Sequence, residues 1–104
     1  MDLVEGGARV GRRNSKRSRM DIFAEILEVI TRYPEGVRIT RLSYGVGVPV
    51  DRLKTQVRAL CSNGLVRRST DEDDVLYGAT PRGLEFLETY WKMRSFFEIL
   101  GEEP

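Results

Sequence analysis

At 104 residues, with 40% of them hydrophobic and a net charge of +1, the chain has room for one domain with a modest core and a tail, and a domain this small commonly gains from a partner. Histidine is absent and Cys61 is the only cysteine, which removes the commonest general base, the commonest metal ligand and any internal disulfide. No run of eighteen apolar residues and no signal-peptide core is present, so the chain is expected to be soluble and cytoplasmic.

The small total charge hides an asymmetry. Residues 1–19 hold six cations, Arg9, Arg12, Arg13, Lys16, Arg17 and Arg19, against Asp2 and Glu5, a net of +4 that leaves −3 for residues 20–104. Residues 1–17 are polar and basic without periodicity and read as a flexible arm. Arg12, Arg13, Lys16, Arg17 and Arg19 are expected to reach phosphates or a minor groove, as basic arms do. The alternative is a tail that only solubilises.

A first helix is predicted from about Ser18 to Tyr33. Ile22, Phe23, Ile26, Leu27 and Ile30 make its buried stripe, while Asp21, Glu25 and Glu28 face water. Tyr33-Pro34-Glu35-Gly36 closes it, because Pro34 disfavours helical geometry in the residue before it. Val37-Arg38-Ile39 reads as a short extended segment. Thr40 is then the expected N-cap of a helix of little more than one turn, Arg41 to Tyr44. Gly45-Val46-Gly47-Val48 is the expected turn into the central helix.

That central helix carries Val50, Leu53, Val57, Leu60 and Cys61 every three or four positions, one buried stripe. Its opposite face holds Arg52, Thr55, Ala59 and Ser62, with Asp51 and Arg58 at the edges. Arginine and threonine around a small alanine suit a base edge or a phosphate; the plain alternative is a solvated amphipathic face. Asn63-Gly64 stops the helix, glycine accepting the left-handed cap. Cys61, on the buried edge, reads as a small core residue rather than a redox sensor.

Leu65–Arg68 and Val75–Ala79 are predicted as two short strands around the polar turn Ser69–Asp74. A short helix, a glycine-bearing turn, an amphipathic helix and a hairpin follow the order of a winged helix-turn-helix. Thr80 and Pro81 are the expected N-cap and first residue of a last helix, ending near Leu100 at Gly101. It shows two apolar faces. Leu84, Leu87 and Trp91 are expected to pack on the domain's own core. Phe86, Tyr90, Met93, Phe97 and Leu100 are spaced as a coiled-coil seam and are expected to face a second copy; the alternative is a helix folded back across its own domain.

Four stretches carry a resemblance: Arg17 through Leu27, Thr40 through Tyr44, Leu60 through Val66 with its Gly-Leu-Val ending, and Thr80 through Leu87. Over about residues 17–95 the chain resembles the small archaeal winged-helix DNA-binding proteins, grouped with transcriptional regulators and ten-kilodalton chromatin proteins. The resemblance implies a homodimer held by an antiparallel coiled coil of C-terminal helices, with each central helix presented to a DNA groove, and a nucleoid-associated location. Two departures stand out. The hairpin tip, Asp71-Glu72-Asp73-Asp74, is acidic where a wing touching phosphates would be basic or neutral, and the helix beyond Trp91 is short.

The expected fold is therefore mainly α with a small β-hairpin: an arm at 1–17, a winged helix-turn-helix domain at 18–80, a dimerisation helix at 81–100 and a tail at 101–104. Double-stranded DNA is the expected partner, bound by Arg52, Thr55, Arg58, Lys54, Arg41, Tyr44, Arg67 and Arg68 with the arm. A homodimer through the last helix is the other. A winged-helix protein–protein interaction module, using the acidic hairpin and the aromatic last helix, is the alternative. No membrane, small-molecule ligand, metal or cofactor is expected. Asp71 and Asp73 alternate like calcium ligands, but no glycine follows and no bidentate glutamate sits at the required distance. No nucleophile–base pair, phosphate-binding loop or dinucleotide fingerprint is visible, so an enzyme is not expected.

Overall fold

Reciprocal hydrogen bonds open the first helix. The Ser18 hydroxyl accepts from the Asp21 backbone N–H at 3.0 Å, and the Asp21 carboxylate accepts from the Ser18 N–H at 2.9 Å, so two of the amides that a helix start leaves without partners are satisfied together. The computed structural model describes residues 17–100, in the order α1 (Arg19–Thr31), α2 (Ile39–Val46), α3 (Val50–Ser62), β1 (Val66–Asp71), β2 (Asp74–Ala79) and α4 (Pro81–Leu100). The expected contributions of Arg12, Arg13 and Lys16, and of Gly101 as a helix stop, lie outside the described residues. This is the winged helix-turn-helix arrangement.

α1 ends at Thr31, two residues before the expected Tyr33, and its C-cap is Arg32. Val37 pairs with Tyr77 of β2 through N–H···O bonds of 3.0 and 2.9 Å. That pairing makes Arg38 the residue where the chain turns, and Ile39 enters α2 with its side chain on the core. Thr40 is consequently inside the helix, not its N-cap, and Arg38 caps without a side-chain bond. α2 is also longer than expected, taking in Gly45 and Val46. Gly45 lies where α1 and α2 touch, since an added Cβ would meet Val29 at 2.9 Å.

The core joins the predicted stripes of α1 and α3, of which Ile22, Phe23, Val50 and Cys61 are only half-buried, to residues of α2 and three valines outside them. Ile26, Leu27 and Ile30 of α1, Leu42 and Val46 of α2, and Leu53, Val57 and Leu60 of α3 are buried with Val37, Val48 and Val66. Each fully buried aliphatic side chain contributes about 1.5–3 kcal/mol. Gly64 then takes φ 77°, the left-handed step that turns the end of α3 into the hairpin.

The hairpin is longer than expected. Its register runs from Val66↔Ala79 to Asp71↔Asp74, so Ser69, Thr70, Asp71 and Asp74 belong to strands and only Glu72-Asp73 turns. So tight a reversal requires a left-handed residue, and Glu72 supplies it at φ 56° where glycine is usual. At the far end, the Thr80 hydroxyl donates to the Gly64 carbonyl at 2.6 Å and accepts from the Gly83 N–H at 3.0 Å, capping α4 as predicted.

The faces of α4 differ from the expectation. A Cβ on Gly83 would lie 2.1 Å from the Leu65 carbonyl oxygen, so the first turn of the helix rests directly on the backbone joining α3 to β1. With Gly83 inward, residues three, four and seven places on follow it inward. Phe86 and Leu87 pack on the core and Tyr90 is 7% exposed. Phe86 and Tyr90 of the expected seam therefore face their own domain, while Leu84 and Trp91, expected inside, are 49% and 43% exposed.

The Tyr90 hydroxyl donates to the Asp21 carboxylate, and Arg94 lies 3.7 Å from the same oxygen. Burial, then the bond to Asp21, pushes the Tyr90 hydroxyl up to about 12. Burial alone would raise the Asp21 carboxyl, but Tyr90, Ser18 and Arg94 together hold it below its ordinary value. The clasp fixes α4 to the start of α1. Among the described residues, no helix is long and apolar enough to cross a membrane, and no group of three His, Cys, Asp or Glu could hold a metal ion.

Candidate nucleic-acid interface

The turn between α2 and α3 is fixed by backbone chemistry. Gly47, at φ 75°, caps α2 and donates its N–H to the Ser43 carbonyl at 2.8 Å. The Ser43 hydroxyl donates to the Val48 carbonyl at 2.6 Å, crossing the turn. Pro49 then precedes the first helical residue of α3, and its fixed φ leaves little freedom in how α3 leaves the turn. Ser43 is a positioning residue that pattern reading passed over. Its signal was a serine five residues ahead of a Val-Pro pair.

With Leu53, Val57 and Leu60 buried, α3 turns Asp51, Arg52, Lys54, Thr55, Arg58 and Ser62 to solvent. Arg52, Lys54 and Arg58 make no ion pair with another described residue. Their charge is therefore open to an external anion. Ala59 lies half-buried between them and Asn63, whose side-chain amide donates to the Ala59 carbonyl at 2.8 Å. On α2, Tyr44 is 92% exposed, and the Arg41 guanidinium lies 5.7 Å from the Tyr33 ring centre, a cation–π contact that leaves it at the surface. Arg41, Tyr44 and the outer face of α3 belong to one helix pair, joined by the fixed turn.

The hairpin contributes less. Arg68 is exposed on β1 opposite Tyr77. Arg67 is exposed too, but its guanidinium donates to the Ala79 carbonyl at 3.0 Å and lies against Gly78. The tip keeps its four acids, of which Asp74 accepts from Arg38 at 2.9 Å. A surface of carboxylates at the tip and cations on α3 favours approach of a polyanion at α3 and opposes it at the wing.

Two arginines of the expected arm diverge around Ser18. Arg19 lies over the Phe23 ring at 5.3 Å. It also borders an apolar groove of about 410 Å³ between α1, α3 and α4, floored by Met20, Phe23, Ala59 and Phe86. Arg17 is turned onto the domain: its guanidinium donates to Glu25 at 2.5 Å and to the Val46 carbonyl at 2.8 Å, so it is engaged rather than extended toward phosphate. Cys61 is half-buried and unpaired. Burial pushes its thiol up against the opposing pull of Arg68, the behaviour of a packed thiol rather than a reactive one.

Residues 16–98 match the family described as winged helix-turn-helix. No curated protein matches the sequence. Among solved structures the chain is similar to Sso10a-2, a DNA-binding protein from Sulfolobus solfataricus, at 26% identity and a TM-score of 0.69, covering 81% of this chain and 85% of that one. It is also similar in fold to MepR of Staphylococcus aureus, a transcription regulator of the multidrug efflux pump MepA, at 15% identity and a TM-score of 0.68. That match covers 77% of this chain and 61% of MepR. A mutant of MepR bound to an oligodeoxyribonucleotide matches at 14% identity with a TM-score of 0.66, covering 81% of this chain and 65% of that one. The chain thus spans less than two thirds of the length of MepR.

Proposed function

This chain belongs to the winged helix-turn-helix family, and from that premise we propose that it is a regulator of transcription, or an architectural protein of the nucleoid, that binds duplex DNA as a homodimer in the cytoplasm. The carrying observation is the outer face of α3, where Arg52, Lys54, Thr55 and Arg58 stand exposed and outside any ion pair with described residues. The DNA-binding protein Sso10a-2, similar over most of both chains, supports the same reading. Arg52 sits in the first turn of α3, the end with which helix-turn-helix proteins enter the major groove. Thr55 and Arg58 follow on the same side. Arg41, Tyr44 and Arg68 flank the groove and contact backbone phosphates, contacts that set register without reading sequence.

The second copy is supported by the distal half of α4. Phe96 and Ile99 are 66% and 79% exposed, and Trp91, Met93 and Leu100 are exposed with them. Five large apolar side chains exposed together on one helix end, beside Lys92, Ser95 and Glu98, mark an interaction surface. Burying these side chains against a symmetry-related copy contributes about 1.5–3 kcal/mol for each one fully covered. Of the expected seam, Met93 and Leu100 are exposed and Phe97 is half-buried; Phe86 and Tyr90 face their own domain, and the proposed contact takes in Trp91, Phe96 and Ile99 instead.

The test is a titration of the full chain on random-sequence duplex at 50 and 200 mM salt, beside Arg52→Ala/Arg58→Ala. Binding should weaken steeply with salt. The double variant should bind more weakly at both salts and flatten the salt slope by about two, as two cations leave the interface. Unchanged affinity in the double variant would remove α3 from the interface. No binding to duplex at either salt would turn the function toward protein–protein interaction.

A further inference from the structure

The groove of about 410 Å³ between α1, α3 and α4 has a floor of Met20, Phe23, Ala59 and Phe86, with Arg19 and Asn63 beside it. That apolar floor runs on along α4. Met93 follows Phe86 by seven residues and Leu100 follows Met93 by seven, and residues seven apart on a helix drift by only about 20°. Phe96, three residues past Met93, flanks the same face. Met93, Phe96 and Leu100 are all exposed, as is Met20 at the groove. Leu84 is exposed too, but it stands nine residues from Met93, two and a half turns away and therefore on the opposite side of the helix. The tip of α4 cannot fill the groove of its own chain, because Leu100 lies fourteen residues beyond Phe86, about 21 Å along the helix.

We infer that the groove seats the tip of α4 from a second copy of the chain, with Leu100 of each copy entering the other's groove against Phe86. The inference rests on the two-copy reading above and assigns the surface on which the second copy docks. The register follows from the spacing. Phe86 and Leu100 lie equally far from Met93, about 10 Å to either side, so a two-fold axis beside Met93 sets two last helices antiparallel with each Phe86 opposite the partner's Leu100. The area agrees with a stable contact. Taking about 200 Å² for a large apolar residue, Met20, Met93, Phe96 and Leu100 together expose roughly 440 Å² in each copy. Two copies bring together about 900 Å², and since interfaces are about 56–65% apolar, the whole contact reaches the roughly 1,200–2,000 Å² of specific complexes. Ala59, in the last turn of α3, is part of the groove. Each copy therefore braces the far end of the helix that the other presents to DNA.

The experiment combines sedimentation equilibrium with cross-linking of the full chain. Met20→Glu, in the groove, should raise the dimer dissociation constant at least about tenfold, because a carboxylate there meets an apolar tip. Leu84→Glu, on the opposite side of α4, should change it less than about threefold. Equal weakening by both, or by neither, overturns the inference and leaves the two-copy reading standing. Cross-linking reads the register without depending on the affinity of a charged variant. In a Cys61→Ser background, Met20→Cys and Leu100→Cys chains are mixed and treated with a short bis-maleimide. They should link to one another, and Met93→Cys should link to itself. A dimer in which Leu100→Cys links to itself instead has its tips together, which overturns the inference. A dimer that gives no link between Met20→Cys and Leu100→Cys leaves the groove to another occupant and also overturns it. An unaltered chain that sediments as a monomer would instead remove the two-copy reading on which the docking depends.

Discussion

Glycine 83 and tyrosine 90 show how single side chains set the geometry of a helix. Ala at position 83 would push a methyl to 2.1 Å from a backbone oxygen that has no rotamer to escape into. Gly83→Ala should therefore cost at least the upper end of the roughly 1–3 kcal/mol typical of overpacking, read as a lower urea midpoint with unchanged slope. Tyr90→Phe removes the donor to Asp21 and should cost about 1–2 kcal/mol, since a partly buried carboxylate loses a partner. The pH signs follow from the shifts. Asp21 is depressed in the folded chain, so its contribution is complete above its ordinary value near 3.8 and is lost as the pH falls through the lower folded value. Tyr90 is raised from 10 to about 12, so its contribution is complete below pH 10 and is lost between 10 and 12. Urea midpoints across pH 2–5 and pH 9–12 check both limbs. Asp21→Asn should flatten the acid limb, and Tyr90→Phe the alkaline one.

The hairpin and α4 are the elements where residue chemistry and pattern part ways. Glu72 holds a left-handed φ of 56° at a tip already crowded with carboxylates. Glu72→Gly should raise stability by about 0.5–1 kcal/mol, because the backbone strain of an L-residue there exceeds the extra chain entropy of glycine. A fall in the urea midpoint would show the tip to be unstrained. Much of this architecture could be read from the chain in advance. The stripes of α1 and α3, the glycine stop after α3, the Thr80-Pro81 start of α4 and the order of helix pair and hairpin all follow from local spacing and capping. Hidden from that reading were features set by contact at a distance. Val37 pairs with Tyr77 across forty residues and moves the α2 cap from Thr40 to Arg38. Gly83 carries no side chain to count, yet it decides which face of α4 looks inward. Of the candidate DNA residues, the exposure of Arg52, Thr55 and Arg58 was legible from the α3 stripe alone. The engagement of Arg17 with Val46, twenty-nine positions away, was not.

At the scale of the whole molecule, the exposed end of α4 makes assembly a measurable property. Phe96→Glu/Ile99→Glu places four like charges between two copies and should give a monomer in sedimentation equilibrium at micromolar concentration, with DNA affinity reduced at least tenfold. An unaltered chain that sediments as a monomer would end the two-fold model. The same interface predicts a melting temperature that rises with protein concentration, as mass action requires. The seating of Gly83 on the Leu65 carbonyl, with Thr80 bonded to the Gly64 carbonyl, bears on that assembly in a further way. α4 is about 30 Å long and is fastened at its root to the backbone that ends α3, so it is a lever without slack. Because the clasp at Asp21 also ties α4 to α1, a ten-degree tilt of the domain about the far tip of α4 moves its root by about 5 Å and carries α3 with it. Two such levers crossing at their tips would gauge the distance between two half-sites, and anything that changes their crossing would change which spacing of DNA the pair can read.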